Sequence, residues 1–298
     1  MGTLPEAADA DRSFTARSLK ELRRGWQRRN LLGYRLVGAG SKSNSFVGSP
    51  ENRARACVIN HGMQTAFHNR QTALVTGGAR GIGREVARQL ARDGLRALLG
   101  VRDLRRGEET AAALGGEVAA VELDMSSAAS IAACARRLQG PIDVLVNNAG
   151  VYRSPREEIW AVNVRGPILL TTALDAALAD EARVVNVTSG LGALSSQPTA
   201  LQQRLADPSL TIEDLLQLPP GDYGESKAVL NSFTRLLARE WQRRLVNSVS
   251  PGWARTDMGG AGAPRSLDQG AASVLFCCRL RAGGPSGRVF EDGLEVGF

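Results

Sequence analysis

Residues 72–83 read Thr-Ala-Leu-Val-Thr-Gly-Gly-Ala-Arg-Gly-Ile-Gly, an apolar run followed by a glycine-rich turn and the start of a helical pattern. A short apolar run bounded by a turn is typical of a buried strand. Gly77 permits a tight turn, Gly81 lets the backbone approach a ligand, and Gly83 allows close packing of helix on strand. Free N–H groups at the helix start bind anions. The stretch therefore predicts a strand, a pyrophosphate-binding turn and a helix.

Alternating apolar runs and helical patterns continue from this stretch along the rest of the chain. Such alternation is typical of parallel βαβ units, which are joined by right-handed crossovers. We predict strands at residues 72–76, 96–101, 118–123, 142–146, 183–188, 246–250 and 287–291. We predict helices at residues 82–92, 104–114, 126–138, 157–179, 223–243 and 267–280. The predicted fold class is α/β, a Rossmann-type doubly wound sheet of seven mostly parallel strands with helices on both faces.

Glycines and polar residues follow each of the first six predicted strands. In open parallel sheets, ligands bind beyond the carboxyl ends of the strands. The residues at these ends are Gly77–Gly83, Arg102, Asp124, Asn147–Gly150, Ser189 and Pro251–Thr256. Their placement predicts a single site along one edge of the sheet.

The charge of the chain is unevenly distributed. Lys and Arg number 37 against 30 Asp and Glu, a net charge of +7, but 12 of the basic and 5 of the acidic residues precede Gln71. The remaining 25 residues of each sign make residues 71–298 neutral. With 43 % apolar residues, this part can form one full core. We expect a single catalytic domain at residues 71–298 and no nucleic-acid partner for it.

Residues 1–70 show no sustained periodicity and contain Arg-rich and Gly/Ser-rich stretches. The default interpretation is a disordered basic N-terminal extension. An organelle transit peptide is an alternative, although Glu6, Asp9 and Asp11 argue against it. Nucleic-acid binding is another, without the interleaved aromatic residues that would support it. We favour a further interpretation, in which Met63 is the natural start and the residues before it are absent from the mature protein.

Four cysteines, Cys57, Cys134, Cys277 and Cys278, lack the spacing of metal ligands, so we expect no metal site. The adjacent pair lies in an apolar run that favours a buried helix. No apolar run approaches the ~20 residues that a membrane span requires. These features favour a cytoplasmic protein without a membrane partner.

The second predicted strand ends in Gly-Val-Arg-Asp at residues 100–103. Folds that prefer NAD carry an acidic residue at this tip, whereas here Arg102 comes first and Arg80 lies in the glycine turn. Two guanidinium groups can bind a 2′-phosphate, so we predict NADP(H) over NAD(H). Asp103 argues the other way, and Arg102 as a solvated surface charge stays open. Asp124 can accept a hydrogen bond from an adenine amino group or cap the next helix.

Tyr223 and Lys227 lie four residues apart in a predicted helix. Positions i and i+4 share a helix face, so the ammonium group can favour the phenolate. An unperturbed Tyr titrates near ~10, and lowering its pKa to about 7 needs roughly 4 kcal/mol of differential stabilisation. The pair therefore indicates a labile phenolic proton, but the spacing alone is a weak signal.

Taken together, residues 72–298 resemble the short-chain dehydrogenase/reductase family. The matching motifs are Thr-Gly-x-x-x-Gly-Ile-Gly at 76–83, Asn-Asn-Ala-Gly at 147–150, Ser189 after the fifth strand, Tyr-x-x-x-Lys at 223–227, and Pro-Gly at 251–252. Their order and their placement at strand ends both agree with the family pattern.

The resemblance implies a mechanism and a set of site residues. Tyr223 would donate a proton to a carbonyl oxygen as hydride arrives, and Ser189 would hydrogen-bond that oxygen. Lys227 would lower the pKa of Tyr223, and Asn163 would anchor a water in the proton relay; a polar residue bonding its own helix backbone is the alternative for Asn163. The implied NADP(H) contacts are Gly77, Arg80, Gly81, Ile82, Gly83, Arg102, Asp124, Met125, Asn148, Gly150, Tyr223, Lys227, Pro251, Gly252, Trp253 and Thr256.

A long segment separates Ser189 from Tyr223, which are 34 positions apart. Such an insertion is similar to that of the carbonyl-reductase branch of the family, which comprises NADPH-dependent enzymes acting on aldehydes, ketones and quinones. The resemblance implies a monomer, because the insertion covers a surface that other members use to tetramerise. The resemblance also implies that the insertion covers the substrate pocket. The apolar residues of the insertion suit a hydrophobic carbonyl substrate, although core packing is their expected main role: Leu201, Leu205, Ile212, Leu215 and Leu216.

Two other functions compete with an NADPH-dependent carbonyl reductase. Epimerases and dehydratases on the extended version of this fold have Thr-Gly-x-x-Gly-x-x-Gly spacing and a longer C-terminal substrate domain, and we find neither. A sensor that binds NADP without turnover is the alternative from a different class. The presence of Asn163, Ser189, Tyr223 and Lys227 argues against it.

Overall fold

The computed structural model describes residues 71–138 and 140–297, so the expectations for residues 1–70 lie outside the described residues. An eight-stranded sheet has the order β3-β2-β1-β4-β5-β6-β7-β8, and every pairing is parallel except that of β7 with β8. The strands are β1 (Thr72–Thr76), β2 (Arg96–Val101), β3 (Val118–Glu122), β4 (Ile142–Asn147), β5 (Leu178–Val187), β6 (Leu245–Ser250), β7 (Val289–Glu291) and β8 (Leu294–Val296). The predicted α/β fold class is confirmed.

Nine α-helices connect or flank these strands within the described residues. They are α1 (Gly81–Arg92), α2 (Leu104–Leu114), α3 (Ala128–Arg137), α4 (Arg156–Trp160), α5 (Gly166–Ala173), α6 (Thr199–Ala206), α7 (Ile212–Gln217), α8 (Tyr223–Glu240) and α9 (Leu267–Cys278). A π-helical turn, Ala161–Arg165, lies between α4 and α5.

The core lies on both faces of the sheet, as the alternation along β1 shows. Leu74 belongs to one buried cluster, while Ala73 and Val75 belong to the other. Successive side chains of a strand point to opposite faces, so each strand contributes to both clusters. Chain order reverses between β1 and β4, which places a crevice at their carboxyl ends.

Three predicted boundaries are wrong, two helix ends and the start of the fifth strand, which begins at Leu178 rather than residue 183. The helix predicted at 157–179 ends at Ala173, and Leu178 already pairs with Ile142 in the sheet. Apolar Leu170, Leu174 and Leu178 continue a helical spacing through this point, but sheet pairing overrides it. The helix predicted to reach residue 243 ends at Glu240.

The sheet has one strand more than predicted. A two-residue turn with positive φ at Asp292 (53°) and Gly293 (77°) folds β8 back onto β7. Positive φ at both central residues is the geometry that suits the twist of a hairpin. All three residues of β8 are exposed, so no apolar run marks the strand in the sequence.

Within the described residues, no helix is long and apolar enough to cross a bilayer. The same part of the chain contains no group of three or more His, Cys, Asp or Glu side chains that could hold a metal ion. Cys277 and Cys278 are buried in α9, as their apolar surroundings predict.

Candidate active site

Tyr223 is the first residue of α8, and its position is fixed by the cap of that helix. Asp222 accepts a hydrogen bond from the backbone N–H of Glu225, and the Glu225 carboxylate accepts one from the backbone N–H of Asp222. This capping box satisfies two backbone donors at the helix start. One turn on, Lys227 Nζ lies 5.5 Å from the Tyr223 ring centroid. The structure thus brings the ammonium group to the phenol.

Lys227 is only 4 % exposed, and its Nζ donates a hydrogen bond to the carbonyl oxygen of Val187 at 2.8 Å. Burial lowers the pKa of Lys227 to about 8, because the charged form loses hydration. The amine also faces the loop after β4, since a Cβ built on Gly150 would lie 3.6 Å from Nζ. The end of β5 and the end of β4 therefore meet at this amine.

The pKa of Tyr223 lies above its usual value, contrary to the prediction from the Tyr–Lys spacing. Burial of the phenol is the main cause, a hydrogen bond with Ser189 acts in the opposite direction, and the nearby Tyr152 adds to the increase. Lys227 is not among the causes that shift this pKa. The protein's own groups thus keep the phenol protonated at neutral pH.

Ser189 follows β5 and begins a short 3₁₀ turn, Gly190–Gly192. Its hydroxyl accepts a hydrogen bond from the backbone N–H of Leu191 at 3.3 Å. The same hydroxyl is hydrogen-bonded to the Tyr223 phenol. Ser189 and Tyr223, separated by the whole insertion, therefore share one polar centre.

Asn163 lies fully buried in the π-helical turn. Its Oδ1 accepts from the N–H of Val151 at 2.9 Å, and its Nδ2 donates to the Val151 carbonyl at 3.0 Å and to Ser226 Oγ at 3.2 Å. Ser226 Oγ in turn donates to the carbonyl oxygen of Tyr223 at 2.7 Å. The side chain therefore connects the loop after β4 to the first turn of α8, rather than bonding its own helix.

The glycine turn has the geometry that the sequence predicts. Gly77 has a φ of +66°, and its N–H donates to the Gly100 carbonyl at 2.8 Å. A Cβ on Gly83 would lie 2.6 Å from the Gly77 oxygen, which no side chain tolerates. A Cβ on Gly81 would meet Thr256 at 3.7 Å, so the turn faces the loop after β6. This cradle of backbone N–H groups fits a dinucleotide pyrophosphate.

The loop after β4 is tied to the glycine turn through Thr76. Thr76 Oγ1 accepts from the backbone N–H groups of Asn148 at 3.0 Å and Ala149 at 2.9 Å. Asn148 Nδ2 donates to the Thr76 carbonyl oxygen at 2.8 Å. The Asn-Asn-Ala-Gly segment therefore lies directly beside the predicted pyrophosphate turn.

The two predicted phosphate-binding arginines have different surroundings. Arg80 donates to the Asp257 carboxylate at 2.8 Å, with side chains 66 % and 74 % exposed. Arg102 is exposed at the end of β2. Asp103, the residue that argued for NAD, caps α2 by accepting from the N–H of Arg106 at 3.1 Å. The carboxylate at this tip is thus engaged by a helix, and Arg102 forms no ion pair within the described part of the chain.

Other predicted cofactor contacts take local roles. Asp124 accepts from the N–H of Ser126 at 2.9 Å in a turn before α3, whose N-cap is Ser127 rather than Asp124, and Met125 is a buried core side chain. Gly252 has a φ of +65° in the loop after β6. Trp253 in that loop is 60 % exposed and donates its indole N–H to the Gly259 carbonyl at 2.8 Å.

Comparison with known proteins agrees with this geometry. A family model described as short chain dehydrogenase matches residues 71–200. Carbonyl reductase (NADPH) 1 of Sus scrofa is 30 % identical over 271 residues, covering 75 % of this chain and 93 % of that protein. The human protein of the same name is 32 % identical over 277 residues, covering 77 % and 98 %. The chain belongs to the short-chain dehydrogenase/reductase family.

Solved structures give the same family and the same branch. Salutaridine reductase from Papaver somniferum superposes with a TM-score of 0.68 at 28 % identity, covering 75 % of this chain and 100 % of that one. Menthone neomenthol reductase from Mentha piperita gives a TM-score of 0.63 at 26 % identity, covering 75 % and 99 %. This short-chain dehydrogenase/reductase is therefore an oxidoreductase of the carbonyl-reductase-like branch, a family that uses nicotinamide dinucleotides.

The insertion that marks this branch forms α6 and α7, which pack on α8. Leu205, Ile212, Leu215 and Leu216 are buried in the main core cluster, and Leu201 packs against it. The Thr211–Asp214 capping box starts α7 in the same way that Asp222 and Glu225 start α8. The leucines of the insertion thus serve core packing, as expected.

Sequence reasoning missed two residues beside the site. Arg265 donates to the Pro251 carbonyl at 3.3 Å and forms ion pairs with Glu291 and Asp292, so it connects the loop after β6 to the β7–β8 turn. Tyr152 packs on Tyr223 with ring centroids 5.0 Å apart. The position of Tyr152, two residues after Gly150 at a strand end, was the available signal.

Proposed function

We propose that this protein is an NADPH-dependent reductase that converts aldehydes, ketones or quinones to alcohols. The observation that carries the proposal is the convergence of Ser189 and Lys227 on the Tyr223 phenol, at the sheet edge that holds the glycine turn. Relatives named for carbonyl reduction with NADPH support the substrate class.

The protein's own groups fit proton donation rather than proton removal. A pKa of Tyr223 above its usual value keeps the phenolic proton in place at neutral pH, ready for a carbonyl oxygen that gains negative charge. Ser189 donates a second hydrogen bond to that oxygen. When bound, a reduced nicotinamide supplies the hydride to the carbonyl carbon.

Lys227 and Asn163 support this centre in different ways. Lys227 uses one N–H for Val187, which leaves two donors for a ribose hydroxyl or the proton relay. Asn163 fixes the loop after β4 against the first turn of α8 and so holds Tyr223 in register with the cofactor floor at Asn148 and Gly150. The π-helical turn around Asn163 is of the kind found at functional sites.

Selection of NADPH is assigned to Arg102, because Asp103 is engaged as a helix cap. Arg80 is assigned a second phosphate contact, which requires it to exchange its exposed Asp257 partner for the 2′-phosphate. Such an exposed pair contributes little, about 0–1 kcal/mol, so the exchange costs little. Charge-assisted bonds to phosphate are stronger than that.

The substrate side of the proposed site is apolar. Within the described residues, half of the large hydrophobic side chains that are exposed lie in loops at this sheet edge: Tyr152, Leu191, Trp253 and Met258. An exposed apolar rim around a polar centre is typical of a site for a hydrophobic ligand. We propose a hydrophobic carbonyl substrate and a cytoplasmic location. We also propose a monomer, because α6 and α7 cover α8.

The proposal is tested with Tyr223→Phe in NADPH-oxidation assays against a panel of aromatic ketones, aldehydes and quinones. We expect kcat to fall about 10²- to 10⁴-fold while NADPH binding, followed by fluorescence, stays unchanged. Turnover that survives the substitution would exclude Tyr223 as proton donor. Tight NADPH binding without turnover of any carbonyl by the unaltered protein would instead support a sensor.

A further inference from the structure

Tyr152 and Tyr223 form an edge-to-face aromatic pair. Their ring centroids are 5.0 Å apart and their planes are inclined by 67°. Such pairs are favourable because the positive edge of one ring meets the negative face of the other. Tyr152 is nonetheless 40 % exposed, so part of its ring is open to a ligand next to the phenol that we assign to proton donation.

The next residue, Arg153, has an unusual backbone. Its φ of +55° lies in the left-handed region, which costs a non-glycine residue on the order of 1 kcal/mol or more. In an extended chain, neighbouring side chains point to opposite sides. Here the Arg153 guanidinium carbon instead lies 5.3 Å from the Tyr152 ring centroid. The strained backbone thus accompanies a stack of two neighbouring side chains.

Arg153 has no carboxylate partner among the ion pairs of the described residues, whereas two other arginines near this edge have one. Arg80 pairs with Asp257, and Arg265 pairs with Glu291 and Asp292. The stack on Tyr152 leaves the guanidinium donors of Arg153 available to a ligand. A planar guanidinium on an aromatic ring suits bidentate binding of a carboxylate.

We propose that Tyr152 and Arg153 form a recognition pair for aryl aldehydes or ketones that carry a carboxylate group. The inference rests on the proposed reductase activity and names its substrate class. The aromatic part of the substrate packs against Tyr152 while its carbonyl group reaches Tyr223, and Arg153 binds the acidic substituent at the far end.

The distances are compatible with such a ligand. The guanidinium carbon of Arg153 lies 5.3 Å from the Tyr152 ring centroid, which lies 5.0 Å from the Tyr223 ring centroid. The distance from that carbon to the Tyr223 centroid therefore cannot exceed the sum of these two distances. That reach suits one aromatic ring with a carbonyl group and a carboxylate at opposite ends. Since Arg153 is exposed, solvent screens its charge, and we expect a preference of about tenfold rather than more.

The test compares 4-carboxybenzaldehyde with its methyl ester, using the full chain and NADPH. The two compounds share the ring and the carbonyl group and differ in charge. We expect the unaltered protein to have an about tenfold higher kcat/KM for the acid, mainly through KM, and this ratio to shrink as salt rises. Arg153→Gln should bring the ratio to about one.

Arg156→Gln is the matched control, because Arg156 is an exposed arginine three positions along the chain. It should keep the preference for the acid. Tyr152→Phe should keep most activity on the acid, whereas Tyr152→Ala should lose several-fold in kcat/KM, because only the first retains the ring.

Calorimetric binding of the two compounds in the presence of NADP gives a readout that does not depend on turnover. A preference for the ester, or an acid preference that survives Arg153→Gln, would overturn the recognition pair. If the recognition pair is overturned in either way but menadione or the ester is still reduced, the proposed reductase activity stands. If Tyr223→Phe leaves turnover intact, the role of Tyr223 as proton donor falls, and the binding ratio alone decides the pair.

Discussion

The ionisable amine of Lys227 is buried. Burial lowers its pKa from 10.5 to about 8. Between these two values the unfolded chain binds more protons than the folded protein, so stability rises with pH across this window. Below about pH 8 the full cost of the buried charge is present, amounting to about 3 kcal/mol from the size of the pKa change.

Replacing Lys227 by Met should therefore stabilise the protein at pH 7 and inactivate it. We expect a net gain of about 2 kcal/mol in unfolding free energy, because loss of the Val187 hydrogen bond offsets about 1 kcal/mol. The gain should shrink as pH rises above about 8, where the folded protein no longer holds a charged amine, and be lost by pH 10. Urea unfolding at pH 7 and pH 10 checks this, and an equal gain at both would contradict it.

Arg102 is the residue on which we expect cofactor choice to depend. Arg102→Ala should raise the KM for NADPH about tenfold or more and leave the KM for NADH unchanged, because only NADPH carries the 2′-phosphate. Arg106→Ala removes the same charge from an exposed position on α2 and serves as the control. An unmoved KM for NADPH in Arg102→Ala would make Arg102 a solvated surface charge.

At the level of elements, local signals predicted most of the sheet and the placement of the site. Apolar runs, glycines and strand ends are encoded within a few residues, so β1, the glycine turn and the start of α8 agree with the sequence. The end of α5 does not, because the spacing of Leu174 and Leu178 suits a helix as well as a strand. The pairing of Leu178 with Ile142 in the sheet determines that the segment is a strand, and Ile142 is distant in the sequence.

The details of the site that the sequence did not reveal also depend on distant partners. The pair of Arg80 with Asp257 spans 177 positions, and that of Tyr152 with Tyr223 depends on a loop conformation. The pKa of Tyr223 is raised mainly because the phenol is buried, and the spacing of residues in the sequence does not reveal burial. Sequence spacing therefore located the side chains of the proposed site but not their electrostatics.

The cap of α8 links helix stability to the position of Tyr223. Asp222→Ala should lower the unfolding free energy by about 1 kcal/mol, because the carboxylate that accepts from the backbone N–H of Glu225 at the helix start is lost. It should also lower kcat several-fold, since Tyr223 is the first residue of that helix. Thermal unfolding and NADPH oxidation measure the two effects.

Thr211→Ala removes the equivalent capping box of α7 and is the matched comparison. It should cost a similar free energy and leave kcat near that of the unaltered protein. Equal losses of kcat in both variants would mean that the cap of α8 acts only through general stability.

On the scale of the whole molecule, everything that the proposed activity requires lies within residues 71–297. The eight-stranded sheet, both core clusters and each residue assigned to the site are in this part of the chain. Residues 71–298 carry no net charge, and the +7 charge of the chain lies before Gln71. We propose that residues 71–298 form the catalytic domain by themselves.

A chain shortened to residues 71–298 behind a start Met should fold and retain the NADPH-dependent activity. We expect kcat/KM within about twofold of the full chain and a Tm within about 3 °C, because a loss of 1 kcal/mol in a domain of this size shifts Tm by about 2–4 °C. Circular dichroism melts and NADPH oxidation by both chains make the comparison. A Tm drop well beyond that range would show that residues 1–70 contribute to the stability of the fold.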